Sequence, residues 1–242
     1  MLAGRSSAIP PASQTIETLA ERAPLEASAP QAPSMGKVGE YDRADMAWCV
    51  VDQRVIFLDV AQDRYFALPE GRNRAFIRQV EKSGFADGGQ PSFLPRPADW
   101  ISPSQAFQFE HQAGFSLARI ARALWVQRRI ESRLKSGVLA ELLFDLRTLV
   151  ERRAEPSAEL GSVGEDTVRA FEQARLLRTT ADRCLARSIA LSFCLASQGE
   201  HSRVVLGVRS APFGAHCWTQ KGDTVLNDSL EEVLRFQPIL VV

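Results

Sequence analysis

Three residues in the last quarter of the chain have types and an order that suit nucleophilic catalysis. Cys184, His216 and Asp228 follow one another at spacings of 32 and 12 residues. A thiolate can attack a carbonyl carbon, an imidazole can take up and return the proton, and a carboxylate can orient the imidazole. These residue types in this order predict a cysteine peptidase.

The base and the carboxylate are predicted to lie on the two strands of a hairpin. Residues 221–223 read as a three-residue loop with a central glycine. If Gln220 pairs with Thr224 across this loop, the imidazole lies directly opposite Asp228, with Cβ atoms roughly 4.5–5.5 Å apart. A one-residue slip would put Asn227 there instead. Since an amide can also orient a histidine, the sequence leaves open which of the two residues acts.

The cysteine is predicted to lie at the start of a helix. Thr179 or Thr180 suits the N-cap, and an apolar helical pattern continues from there until Gly199. Cys184 then lies in the first turn or just after it. The helix dipole and a neighbouring imidazolium both favour the thiolate, which a free cysteine with a pKa of about 8.5 supplies poorly at neutral pH.

The other cysteines and histidines are expected to have structural roles. Cys194 and Cys217 suit the core, Cys49 suits a half-buried strand, and His111 and His201 suit solvated or structural positions. No CxxC, HxxxH or HExxH spacing occurs, so no metal site is predicted. No phosphate-binding loop occurs either, so the sequence predicts no ATP site and no other cofactor.

Composition excludes several classes of partner and location. The 242 residues are 45% hydrophobic, enough for one good core and a second small one. The 29 basic and 29 acidic residues cancel, and no aromatic and basic stripe suggests nucleic acid. No apolar run approaches the roughly 20 residues of a membrane span, and no secretory signal opens the chain. We therefore expect a cytoplasmic protein with reduced cysteines.

Four segments follow from composition and hydrophobic period. Residues 1–40 are rich in Ala, Pro and Ser and are expected to form a disordered tail. Residues 41–84 carry three short strand patterns and one helix pattern, which predict a small winged-helix-like module with a three-stranded antiparallel meander. Residues 85–105 are rich in Gly and Pro and suit a linker. Residues 106–242 predict a second domain with helices packed on an antiparallel sheet, which makes the chain α+β.

The region from Ala181 to the C-terminus resembles the transglutaminase-like B proteins of lasso peptide biosynthesis, the leader peptidases of that pathway. The segments that carry this resemblance are RCLARSIALSFCLASQG, VVLGV, APFGAHCW and LND. Residues 45–84 are similar, more weakly, to the PqqD-like leader-recognition element that is fused to such peptidases in one branch of the family. Cys217 and Gln220 depart from the pattern after the histidine, where a small and an acidic residue are expected.

The resemblance implies a transglutaminase-like or papain-like fold in which Cys184 is the nucleophile, His216 the general base and acid, and Asp228 the residue that orients His216. It implies removal of the leader from a ribosomally made precursor. The new core amine would then enter macrolactam formation by a partner, an asparagine-synthetase-like cyclase that uses ATP.

The pattern of the small module fits a purely structural subdomain as well as a peptide-binding one. If it binds the leader, the expected place is its edge strand, where an extended peptide can add as a further strand. The residues predicted to bind it are Arg64, Tyr65, Phe66, Ala67, Leu68 and Phe76. Two other functions stay open. The same three residue types serve acyl transfer in transglutaminases and arylamine acetyltransferases, and the chain could also present a leader to another enzyme without cutting it.

Overall fold

The computed structural model describes residues 46–82, 92–93, 100–109, 115–153, 160–177 and 183–242. The predicted tail, the predicted N-cap residues Thr179 and Thr180, and His111 lie outside the described residues. The described residues form nine strands and six helices. The predicted α+β class is confirmed.

A small sheet forms the N-terminal part of the described chain. Its strands run in the order β3-β2-β1-β4, and all pairings are antiparallel. They are β1 (Met46–Val51), β2 (Arg54–Asp59), β3 (Arg64–Ala67) and β4 (Ser92–Phe93). The predicted meander of three strands is present, and β4 extends it from within the segment predicted to be a linker. Strand β3 is an edge of this sheet.

Helix α1 (Glu70–Lys82) covers one face of the small sheet. Phe76 lies against Trp48 and Phe57, with ring centroids 5.0 and 5.5 Å apart and edge-on geometry. Val80 completes the contact from the next helical turn and is fully buried. Asn73 links the helix to the β1–β2 turn, since its side chain accepts from the Val55 N–H at 2.7 Å.

Four longer helices build the main core. They are α2 (Leu117–Lys135), α3 (Leu139–Arg153), α4 (Ser162–Leu177) and α5 (Cys184–Ser197). Helix α5 is central, because α2, α3 and α4 pack on it from one side and the second sheet from another. It ends where predicted: Gly199 has φ +86°, a conformation that only glycine adopts readily.

The second sheet has the strand order β5-β8-β7-β6-β9. Its members are β5 (Gln105–Ala106), β6 (Arg203–Ser210), β7 (Phe213–Lys221), β8 (Thr224–Val225) and β9 (Gln237–Val241). Pairings are antiparallel except that β5 runs parallel to β8. A short helix, α6 (Leu230–Val233), connects β8 to β9. The predicted arrangement of helices on a sheet is present, with one parallel pair added from the predicted linker.

The predicted register of the β7–β8 hairpin is wrong. Lys221 pairs with Thr224 and Gln220 with Val225, so the turn has two residues rather than three. Gly222 has φ +55°, as the first central residue of a type II′ turn requires. Lys221 is almost fully buried, and its ion pair with Glu200 compensates the buried charge and holds the residue in the strand. His216 is therefore not paired directly with Asp228.

The second face of the small sheet belongs to the main core. Ala47, Cys49, Ile56 and Leu58 are at most 2% exposed and lie in the same apolar cluster as the residues of α2 to α5 and β6. Cys49, predicted to be half-buried, is fully buried, and burial raises the pKa of its thiol to about 12. The two sheets are thus joined by continuous apolar packing.

Candidate active site

Cys184 is the first residue of α5. It is half-buried, whereas Cys49, Cys194 and Cys217 are buried. The backbone N–H groups of Leu185 and Cys217 are hydrogen-bond partners of its sulfur. The predicted position at a helix start is therefore present, and the thiol meets amide donors from both the helix and strand β7.

His216 lies in β7 and packs between aromatic rings. Its ring centroid is 5.0 Å from that of Phe236 and 6.3 Å from that of Trp218. Gly207 is its cross-strand partner in β6. A Cβ at Gly207 would lie 2.8 Å from the Trp218 ring and 2.9 Å from the Phe236 Cβ. The glycine is thus required for the close packing that holds the imidazole in place.

Asp228 contacts His216 although the two residues are not cross-strand partners. Asp228 Oδ2 lies 2.8 Å from His216 Nε2, and Asp228 Oδ1 accepts the Ser229 N–H at 2.8 Å. Arg187 Nη2 lies 3.8 Å from Oδ2 and donates to the Asn227 carbonyl oxygen at 3.2 Å. The chain bends after β8, and this bend rather than the strand register brings the carboxylate to the imidazole.

Asn227 has a different role. Its side chain accepts the Thr219 N–H at 2.8 Å and donates to Ser188 Oγ at 2.9 Å, and it is 6% exposed. Its amide therefore links the end of β7 to helix α5. Of the two residues that the sequence left as candidates to orient His216, Asp228 contacts the imidazole and Asn227 does not.

The contacts change the pKa values of all three groups. Burial raises the pKa of the Cys184 thiol, but the hydrogen bond and charge of His216 and the two amides outweigh it, so the pKa lies below its usual value. Burial lowers the pKa of His216, yet hydrogen bonds to Asp228 and Cys184 raise it to about 9. Burial raises the pKa of Asp228, and the His216 hydrogen bond and the Ser229 N–H bring it below its usual value.

These shifts favour a thiolate beside an imidazolium at neutral pH. Because Asp228 binds Nε2, Nδ1 is the ring nitrogen available to Cys184. The amides of Leu185 and Cys217 favour the thiolate by lowering the pKa of Cys184. The arrangement can therefore perform nucleophilic acyl chemistry.

The N-terminal half of β7 has an open edge beside Cys184. Thr219 bonds toward β8: its N–H donates to Asn227 Oδ1 and its carbonyl accepts the Leu226 N–H, both at 2.8 Å. The backbone N–H and C=O groups of every second residue of a strand point to the same side. Ala215, four residues before Thr219, therefore directs its N–H and carbonyl to the side of β8. Within the described ranges no strand pairs with Ala215 there, and Ala215 is exposed. An extended peptide could bond to this edge.

The predicted leader-binding residues occupy different environments. Arg64 and Phe66 lie on the edge strand β3, where Phe66 stacks on Phe57 at 5.0 Å and Arg64 Cζ lies 5.8 Å from the Phe66 ring centroid. Ala67 is half-buried in the same strand. Leu68 and Phe76 are 8% and 5% exposed and belong to the core under α1. Leu68 and Phe76 are therefore core residues, and leader binding stays a prediction for the residues of β3.

Tyr65 faces the candidate active site rather than α1. Its ring lies 5.9 Å from that of Phe213, at the start of β7. Burial raises the pKa of the Tyr65 phenol, and negative charge on Cys217, Asp63 and Cys184 adds to the rise. The side chain of Tyr65 therefore connects strand β3 to the start of the strand that carries His216.

Sequence reasoning missed Arg187, Gly207 and Phe236. Arg187 follows Cys184 by three residues on α5, a helical spacing that could have identified it as a neighbour of the site. Gly207 and Phe236 had no such local signal, because strand pairing brings them to His216.

The described residues include neither a metal-binding cluster nor a membrane-spanning helix. No group of three or more His, Cys, Asp or Glu side chains is arranged to hold a metal ion among them. In the same parts of the chain, no helix combines the length and the apolar character needed to cross a bilayer.

Residues 124–241 match the Transglutaminase-like superfamily and form a domain of that superfamily. The match begins within α2 and includes Cys184, His216 and Asp228. The superfamily generally contains cysteine-based enzymes, which is consistent with a cysteine peptidase or acyltransferase fold. No curated protein and no solved structure matches the chain significantly.

Proposed function

We propose that this chain, which carries a transglutaminase-like domain, is a cysteine endopeptidase that binds and removes the leader peptide of a lasso peptide precursor. Removal frees the core N-terminal amine for macrolactam formation by a partner, an asparagine-synthetase-like cyclase. The observation that carries the proposal is the linked set of Cys184, His216 and Asp228, with the carboxylate 2.8 Å from the imidazole.

In the proposed reaction Cys184, His216 and Asp228 each have a defined role in two steps, acylation of the thiol and hydrolysis of the thioester. The Cys184 thiolate attacks the scissile carbonyl, and the imidazolium of His216 protonates the leaving amine as the C–N bond breaks. Water then attacks the thioester, with His216 taking the water proton, and the leader leaves as a free acid. Asp228 keeps the imidazole oriented and favours its protonated form through the hydrogen bond to Nε2.

A peptide substrate is supported by two strand edges. The open edge of β7 beside Cys184 suits an extended backbone near the scissile bond. The edge of β3 suits a second extended segment, and the ring of Tyr65 on β3 contacts that of Phe213 at the start of β7. A leader bound at β3 would therefore be held close to the nucleophile, which raises its effective concentration there.

Mass spectrometry of a lasso peptide precursor tests the proposal. The peptide is incubated with wild-type protein and with Cys184→Ala, each with and without the cyclase. We expect cleavage at one bond by the wild type and none by Cys184→Ala. Cys194→Ala is the matched control, because Cys194 lies on the same helix but is buried away from His216, and it should cleave like the wild type.

Other outcomes point elsewhere. Unchanged cleavage by Cys184→Ala would contradict the peptidase mechanism. A mass gain on an intact peptide would identify acyl transfer, and a stable complex without any cleavage would identify leader presentation.

A further inference from the structure

A guanidinium group lies on the same face of the sheet as His216 and is not used in the proposed mechanism. Arg209 is in β6, directly opposite Gly214 in β7. Its side chain crosses over Gly214, where an added Cβ would lie 2.9 Å from Nε and 3.5 Å from Cγ. Its Cζ then lies 5.3 Å from the centroid of the Phe236 ring. Gly214 and Phe236 together hold the side chain against the sheet.

Arg209 and His216 are diagonal neighbours. His216 pairs with Gly207, and Arg209 follows Gly207 by two residues on the same strand, so both side chains leave the same face. Phe236 contacts both of them, with its ring 5.0 Å from that of His216. The guanidinium therefore lies one row beyond the imidazole, toward the tip of the β6–β7 hairpin.

This cation has no acidic partner among the residues that the structure describes. Its Nε is buried and has no hydrogen-bond partner within those ranges. The nearby carboxylate of Asp52 instead accepts a hydrogen bond from Ser210, whose side chain alternates to the opposite face. Arg169 and Arg187, whose Nε atoms are also unpaired, do have carboxylates close to their terminal nitrogens.

We propose that Arg209 binds a carboxylate of the substrate peptide close to the scissile bond, and so selects substrates with an acidic residue there. The peptide nature of the substrate rests on the function proposed above. A guanidinium that is held in place by packing loses little freedom on binding and can bond a carboxylate through two nitrogens. In an unmodified peptide the anionic groups near neutral pH are carboxylates, which defines the ligand class.

Two matched maleimides test the anion site without any need for proteolysis. One has a terminal carboxylate and the other a neutral carboxamide of equal length, in a series of chain lengths. Both add to Cys184, the half-buried cysteine, while Cys49, Cys194 and Cys217 are buried. We expect wild-type protein to react faster with the acid than with the amide at one chain length. In Arg209→Met the ratio of the two rates should fall by about tenfold.

Three further variants separate charge from position. Arg209→Lys should keep part of the preference. Gly214→Ala should reduce it, because the added methyl group displaces the Arg209 side chain without removing its charge. Arg147→Met is the control, since Arg147 is exposed on α3, and it should keep the wild-type ratio. Methionine at 209 retains an apolar stem over Gly214, and thermal melting checks that each variant is folded.

Precursor peptides carry the same test to the proposed substrate. Each Asp or Glu near the cleaved bond is replaced in turn by Asn or Gln. We expect one replacement to lower the kcat/KM of the wild type about tenfold and to leave that of Arg209→Met almost unchanged. Equal maleimide ratios in wild type and Arg209→Met would overturn the role of Arg209, even if the precursor is cut. If instead Arg209→Met loses the preference for the acidic maleimide but the wild type does not cut the precursor, the proposed function alone would be overturned.

Discussion

The charge states of Cys184 and His216 depend on each other. Each favours the charged form of its partner, and Asp228 adds to the stability of the imidazolium. Arg187 in turn faces the same carboxylate oxygen that binds Nε2. The reactivity of the thiol is therefore set by a chain of contacts in which Cys184 and His216 would meet a substrate, while Asp228 and Arg187 act through them.

The pH dependence of alkylation should separate Asp228 from Asn227. In Asp228→Asn the strongest contact that raises the pKa of His216 is weakened, so the imidazolium is less stable and the pKa of Cys184 rises. The inflection in the rate of iodoacetamide labelling, read by peptide mass spectrometry, should move upward by about one pH unit. An unchanged inflection would mean that the carboxylate does not control the thiol.

Asn227→Ala should instead affect stability. It leaves the buried Thr219 N–H without its acceptor, which should lower the free energy of unfolding by about 2 kcal/mol in chemical denaturation. Its labelling inflection should move less than that of Asp228→Asn.

Asp228 makes the stability of the fold depend on pH at the acid end. Its pKa is lower in the folded state, so its contribution to stability is present above about pH 3.8 and is lost as pH falls below that value.

Strand lengths determine what the two sheets can bind. Strand β8 pairs with only two residues of β7, which leaves the backbone of β7 open beside the nucleophile. Strand β3 pairs only with β2 among the described strands and forms the other open edge. Short strands at the positions proposed for peptide binding keep a sheet edge available without a long exposed strand.

Leader affinity should depend on Phe66, a half-buried aromatic residue of the edge strand β3. In the full chain with Cys184→Ala, which prevents cutting, Phe66→Ala should weaken leader binding about tenfold in fluorescence anisotropy, because it removes the aromatic surface next to the strand edge. Phe144→Ala is the control, since Phe144 is 70% exposed on α3. Equal affinities for all three proteins would move leader recognition away from β3.

The whole described chain has a core that joins the two sheets. Leu58 and Ile56 of the small sheet pack in the same cluster as Ile189 and Leu195 of the central helix. A fragment limited to 41–84 would expose this face to water. For this reason the full chain, rather than the fragment, is the suitable protein for leader-binding measurements.

Unfolding should therefore occur in a single transition. Leu58→Ala should lower the free energy of unfolding by about 3 kcal/mol, since Leu58 is fully buried, and it should shift the signals of both sheets together. Trp48 reports on the small sheet and Trp218 on the second sheet, in proteins where the other tryptophans are replaced. Two separate transitions, with only the Trp48 signal shifted, would show that the sheets unfold independently.

Much of the local structure could be predicted because its signals are local. The alternation in β1 to β3 and the apolar spacing of α2 to α5 depend on neighbours within one or two turns. Gly199 ends α5 because a glycine there accepts positive φ at no steric cost. The hairpin register was not predictable in the same way, since it depends on whether Lys221 stays in the strand, and its ion pair with the distant Glu200 holds it there.

The sequence by itself determined the types and order of the three reactive residues, a helix with Cys184 near its start and the strand that contains His216, whereas the structure sets the N-cap at Arg183. Tertiary structure decided which side chain contacts the imidazole, because the bend after β8 and the bonds of Asn227 to Thr219 and Ser188 set the position of Asp228. It also decided that Tyr65 of β3 contacts Phe213 of β7 and that Arg209 shares a face with His216. These proximities join residues that are distant in the chain, and only the packing of sheets and helices creates them.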